Sequence, residues 1–186
     1  MTVQLTRRLF TADEYERMIA ASVFQEDDRL ELLEGEIIAM RPIDARHAAC
    51  VNRLGALFYR ALPQSVMVST QNPIRLSDRS EPQPDFALVH ARPDFYAQVL
   101  PTPSDVLLLV EVAEATLAYD RDIKVPRYAQ AGIPEVWLVN IVNGLIVRYA
   151  QPTPHGYQDI HQVYPGQIIV SLSIAGLTMQ VNDILV

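Results

Sequence analysis

Residues 106–139 read VLLLVEVAEATLAYDRDIKVPRYAQAGIPEVWLV, and this stretch decides the fold. The run from Val106 to Val110 is continuously apolar, as a strand covered on both faces must be. Glu111 follows it immediately. Residues 120 to 131 carry a helical pattern that stops at Ala131-Gly132, a helix-ending signal. Val136-Trp-Leu-Val-Asn140 is then a further apolar strand, and Asn143-Gly144 turns tightly into Leu145 to Tyr149. One helix is thus inserted between two covered strands, and a hairpin continues from the second.

Working outward, Asp85-Phe-Ala-Leu-Val89 is another short strand, apolar after its first residue. Val66 to Leu76 is strand-like but interrupted by Pro73, which suggests an edge or a bend. Asp44 is placed to cap a helix running to about Leu62, with Val51, Leu54, Phe58 and Leu62 on its apolar face. Leu30 to Met40 reads as a hairpin turning at Glu34-Gly35, and Thr11-Ala-Asp-Glu14 is a capping box opening a helix to about Ser22. Short strands around Gly156, Gly166 and Gly176 complete the chain. The expected class is α/β of the α+β kind: a mixed central sheet flanked by helices, with additional β-hairpins at both ends. No repeat or linker interrupts it, so residues 1–186 are expected to form one domain.

Composition narrows the function classes. Hydrophobic residues at 49% and charged residues at 20% describe a globular chain and exclude a disordered one. No apolar run reaches membrane-spanning length, and the opening residues MTVQLTRRLFTADEYER hold no apolar core of a signal peptide, so a cytoplasmic protein is expected. The single cysteine, Cys50, excludes an internal disulfide framework and a cysteine-based zinc site. A net charge of −7 argues against coating nucleic acid through bulk positive charge. It does not exclude an enzyme whose acidic metal site sits beside a local basic surface.

Of the 15 basic residues only Lys124 is a lysine. A chain that uses arginine wherever it needs surface charge has a lysine where a compact, flexible ammonium is useful, as at a water or a phosphoryl oxygen. Two carboxylates can join it. Asp85 begins one strand and Glu111 ends the next strong one, so antiparallel pairing brings them to the same end of the sheet. Such a pair offers the hard oxygen ligands that Mg²⁺ or Mn²⁺ takes, leaving other positions to water and phosphate. Each residue also has a structural reading of its own. Asp85 could cap a strand after Pro84, Glu111 could pair with an arginine, and Lys124 could serve Asp120, four residues before it on a helix.

Pro84-Asp85, Glu111-Val112-Ala113 and Lys124 resemble the PD-(D/E)XK motif of restriction-endonuclease-like nucleases. The usual lysine position, two after the glutamate, holds Ala113 here, and the lysine stands on the following helix, a recognised variant of the superfamily. The chain is more closely similar to the putative restriction endonuclease family abundant in cyanobacteria and formerly catalogued as a domain of unknown function. That similarity runs through Glu31-Leu-Leu-Glu-Gly-Glu-Ile37, His47, Asp120 to Lys124 and, most specifically, Tyr128-Ala-Gln-Ala-Gly-Ile-Pro-Glu-Val-Trp-Leu-Val139. The resemblance implies a divalent metal, Mg²⁺ or Mn²⁺, on Asp85 and Glu111 with help from the Val112 carbonyl, and Lys124 as the catalytic cation. It adds Glu31 as a further acid of the site, and His47 and Tyr128 in support. His90, His155 and His161 have no ligand-like spacing and are read as structural.

Two departures bear on that assignment. Where the family usually has a Ser-Pro-Ser-like turn, this chain has Ala113-Glu114-Ala-Thr116, which adds an acid. Pro126 either lies in the first turn of a helix beginning near Asp122 or kinks a longer one. The expected activity is metal-dependent DNA endonuclease, leaving a 5′-phosphate and acting as a homodimer. The alternatives are a non-cleaving relative that binds nucleic acid or a protein, and an oligomeric scaffold.

Overall fold

The computed structural model describes residues 7–185; residues 1–6, including the start of the stretch read above for a leader, and residue 186 lie outside the described residues. The elements in chain order are α1 (Ala12–Ala20), β1 (Leu30–Leu33), β2 (Glu36–Ala39), α2 (Ala45–Ala61), β3 (Val66–Thr70), β4 (Phe86–His90), β5 (Val106–Ala113), α3 (Leu117–Tyr119), a π-helical turn (Asp120–Lys124), α4 (Val125–Gln130), β6 (Glu135–Asn140), β7 (Leu145–Thr153), β8 (Gly156–Val163), β9 (Ile168–Val170), β10 (Thr178–Gln180) and α5 (Val181–Ile184). β3 to β8 form one mixed sheet in sequence order. Every neighbouring pair in it is antiparallel except β5 and β6, which are parallel because the helical segment between them carries the chain back across the sheet. β1–β2 and β9–β10 are separate hairpins. Among the described residues no helix is long and apolar enough to cross a membrane.

Strand alternation divides the core in two. Leu108, Val110 and Val112 of β5 face α2, where Cys50, Val51, Leu54 and Phe58 pack with Phe86 and Trp137. Leu109 and Ala113 face the other way, against Val125, Tyr128 and Ala129 of α4. Glu111 shares that second face by parity, so a carboxylate is carried into an apolar layer directly beneath the crossover helix.

The termini of these elements follow local chemistry. The Thr11 and Glu14 side chains exchange hydrogen bonds with each other's backbone at the start of α1, and Asp44 accepts from the N–H groups of Arg46 and His47 at the start of α2. The β1–β2 turn has positive φ at both Glu34 and Gly35. Gly35 is required twice over, since a Cβ there would stand 2.7 Å from the Cβ of Leu9.

Three expectations are corrected. The strand expected over 66–76 ends at Thr70, because Pro73 cannot extend a ladder. Glu111 does not end its strand, which runs on to Ala113. The helical segment begins at Leu117, before the start expected at residue 120. Pro126 has no N–H to donate, and the turn before it is π-helical, with the Val125 N–H reaching back to the Asp120 carbonyl.

Glu135, wholly buried at the start of β6, accepts from Trp137 Nε1 at 2.7 Å through Oε1. Its Oε2 accepts from the hydroxyls of Ser171 and Ser173 and the N–H groups of Leu172 and Ser173, at 2.8 to 2.9 Å. This ties the segment after β9 to the central sheet. Glu135→Ala strands five donors and should cost about 3–5 kcal/mol, read as a lowered midpoint in urea, with Glu135→Gln recovering part of the loss.

Candidate active site

Glu31, His47, Asp85, Glu111, Val112 and Lys124 line a single pocket of about 600 Å³. Asp85 immediately precedes β4, and Phe86 pairs with Val110, so the antiparallel register sets Asp85 beside Glu111 as expected. Glu31 arrives from β1, whose hairpin is tied to the sheet side by the Leu32–Glu81 bridge. The π-helical turn delivers Lys124 from above the same face.

Asp85 is braced by three donors. Its Oδ2 accepts from the Val112 N–H at 2.8 Å and pairs with His47 Nε2 at 3.1 Å, and Oδ1 accepts from Gln71 Nε2 at 3.1 Å. Burial alone would raise its carboxyl, but His47, the Val112 N–H and Gln71 together hold it below the ordinary range. Burial likewise works against the His47 imidazolium, but the hydrogen bond and charge of Asp85 and the charge of Asp44 together outweigh it and shift the imidazole upward. His47 Nδ1 is buried with no partner among the described residues.

Glu111 lies in the opposite situation. It is 3% exposed, and its Oε1 takes both the Lys124 ammonium at 2.8 Å and the Tyr128 hydroxyl at 2.5 Å. Burial pushes its carboxyl up to about 8, with the charges of Asp120 and Asp85 adding to the rise and Lys124 opposing it. Lys124, 2% exposed, also reaches Glu31 Oε2 at 3.3 Å. Burial disfavours its charge, yet Glu111, Tyr128, Glu31 and Asp120 together hold it charged well above the ordinary range. Glu31 is fixed in turn by the Tyr119 hydroxyl at 2.9 Å and the Gln83 N–H at 3.0 Å.

The structure brings together every residue singled out from the sequence, although Tyr128 stands behind Glu111 and not on the pocket wall. The helix salt bridge between Asp120 and Lys124 is not formed; Asp120 accepts from Thr116 Oγ1 at 2.6 Å, and the lysine goes to Glu111 and Glu31. Asp120, Tyr119 and Gln71 were not foreseen as site residues. Asp120 had a signal, its place on the same helical segment as Lys124; Gln71 had none. Glu114 lines the pocket and pairs with Arg46 at 2.8 Å.

Among the described residues, no group of three His, Cys, Asp or Glu side chains is arranged as a ready metal cage. The donor chemistry nonetheless suits Mg²⁺ or Mn²⁺. Asp85 Oδ1 has one described partner, Glu111 Oε2 has none, and four buried carboxylates (Glu31, Asp85, Glu111 and Asp120) line one pocket with a single lysine. Two carboxylates supplemented by water and phosphate are what Mg²⁺ ordinarily takes.

The family model described as "Uma2: Putative restriction endonuclease" matches residues 12–182. A crystal structure titled as a putative nuclease belonging to DUF820 from Anabaena variabilis ATCC 29413 is similar with a TM-score of 0.72 at 14% identity, covering 94% of this chain and 97% of that one. At that identity the likeness is one of fold. None of the curated proteins matches the chain.

The position of the Glu111 proton makes metal-free stability pH-dependent. The folded chain holds this proton up to about pH 8, whereas the unfolded chain releases it near the ordinary value of 4.5. Between those values the native state binds more protons, so stability should fall as pH rises and the loss should be complete above about 8. Denaturant titrations from pH 5 to 9 in chelator should show a decline on the order of a few kcal/mol, flattened in Glu111→Gln.

Proposed function

Because the chain belongs to the Uma2 family of restriction-endonuclease-like proteins, we propose that it is a Mg²⁺- or Mn²⁺-dependent DNA endonuclease, with residues 1–186 forming one catalytic domain. The observation that carries this reading is the meeting of Asp85, Glu111 and Lys124 at one pocket, with Lys124 Nζ 2.8 Å from Glu111.

Asp85 and Glu111 would hold the metal, with the Val112 carbonyl as a further oxygen. When bound, the metal supplies Lewis-acid charge to the scissile phosphate. Asp85 is pre-aimed, because His47, Gln71 and the Val112 N–H leave its carboxylate little freedom to rotate. Tyr128 holds Glu111 in the same way from behind. Two of the three Lys124 N–H donors go to Glu111 and Glu31; the third serves a water in the pocket. That ammonium orients the water for in-line attack and offsets charge gathering on the phosphoryl oxygens. The water oxygen bonds to phosphorus as its proton passes to solvent, the P–O3′ bond breaks, and the leaving oxygen takes a proton from solvent. The products are a 3′-hydroxyl and a 5′-phosphate. The reading carries with it a cytoplasmic setting and a homodimer that cuts two strands, since closed two-fold pairs are the commonest assembly.

The test joins calorimetry with Mn²⁺ or Mg²⁺ to cleavage of plasmid DNA. The wild type should bind the cation and nick or linearise the plasmid. Asp85→Ala and Glu111→Ala should abolish both. Lys124→Ala should keep cation binding and lose roughly a hundredfold to a thousandfold in cleavage rate, and Lys124→Arg should not restore it, because a guanidinium fork does not fit a site built around a point charge. A wild type that takes up neither cation would defeat this reading in favour of a non-cleaving binder.

A further inference from the structure

The pocket is strongly acidic, the chain carries a net charge of −7, and Lys124 is enclosed by carboxylates, so something else must draw in a polyanion. Among the 14 arginines, most are already spent. Arg75 is shared by Asp13, Glu16 and Glu81; Arg46, Arg121 and Arg127 are paired with Glu114, Asp122 and Glu34. Arg53 donates to the Leu185 carbonyl. Arginines without a carboxylate partner among the described residues do remain, but only Arg29 and Arg41 of these line the catalytic pocket.

Their placement follows from the β1–β2 hairpin. Leu30 pairs with Ala39 and the Met40 N–H donates to the Arg29 carbonyl, so residues 29 and 41 flank the hairpin's open end. Arg29 Nη1 donates to the Arg41 carbonyl at 3.0 Å, which fixes the two relative to each other and leaves Arg29 most of its donors. Arg29 stands just before β1, two residues from Glu31, and both line the pocket. It lies close enough to His47 to oppose that residue's charge. Arg41 is exposed, with no side-chain partner among the described residues.

We infer that Arg29 and Arg41 form the phosphate-contact site of this pocket, gripping a backbone phosphate next to the one held at Asp85 and Glu111. This assignment rests on the nuclease reading above. Arg46, Arg53, Arg75, Arg79, Arg121 and Arg127 are either engaged elsewhere or off the pocket wall.

The test is fluorescence anisotropy of a labelled 20-base-pair duplex, and of one of its strands alone, with the full chain in Ca²⁺ across a salt series. Arg29→Ala and Arg41→Ala should each weaken binding about tenfold and lower the salt slope by about one, whereas lysine at either place should keep most of the affinity. Arg60→Ala and Arg79→Ala, off this pocket, should bind as the wild type does. Arg41 is exposed with no side-chain partner among the described residues, so Arg41→Glu should keep the circular dichroism and urea midpoint of the wild type and abolish DNA binding. A wild type that cleaves DNA alongside Arg29→Ala and Arg41→Glu proteins with undiminished affinity overturns the inference and leaves the nuclease reading intact. A wild type that neither binds nor cuts either substrate overturns both.

Discussion

One buried ammonium held among carboxylates is the constraint on which the rest of this structure depends. Taking an ion out of water costs several kcal/mol, and a buried ion pair is often less stable than apolar side chains of the same size. Lys124, Glu111 and Glu31 therefore form an unfavourable cluster that surrounding elements must hold in place. Three do so from different directions. β5 carries Glu111 by strand parity, the hairpin β1–β2 carries Glu31, and the π-helical turn carries Lys124. None of these is local to another in the sequence, so the cluster exists only when the whole sheet and its crossover are assembled.

The two central carboxylates are driven apart by their surroundings. Asp85 meets an imidazole, an amide side chain and a backbone N–H, all of which favour its charged form. Glu111 sits deeper, shares its lysine with another acid, and is pushed toward neutrality. A pair tuned in opposite directions at one pocket is the usual mark of divided chemical roles. Here it also records a charge imbalance, since four buried acids face one lysine and a histidine. A divalent cation is the simplest species that removes this imbalance while using the oxygen atoms the hydrogen bonds leave available.

The sheet and most of its hairpins were legible because apolar runs and turn pairs are local signals. Asn143-Gly144 and Glu34-Gly35 specify their turns, and Val106 to Val110 can be little other than a covered strand. The site was legible to the extent that it is made of rare or misplaced residues: a sole lysine, and an acid ending an apolar run. What escaped the reading depends on long-range packing. Gln71 braces Asp85 from just past β3, 14 residues away, and Glu135 is satisfied by a serine segment nearly 40 residues on. Pro126 lies in the first turn of α4, where its missing donor is tolerated, but the π-turn that joins α4 to the helical turn before it left no local pattern.

The position of Lys124 then has a geometric account. Residue 113 lies two positions beyond Glu111 on β5, so a side chain there shares the face on which Glu111 points toward α4. Lys124 reaches that carboxylate from the helical layer packed on the same face. A strand position and a helix position thus address one point in space from opposite sides. Only one can be filled by a long side chain, because the layer between them is close-packed: Ala113 is fully buried, and Tyr128 already occupies the flank of Glu111. With alanine at 113 the helix can lie close enough for an ammonium to make a 2.8 Å contact with Glu111. The small residue in the strand and the lysine in the π-turn thus pack as two parts of one arrangement around Glu111.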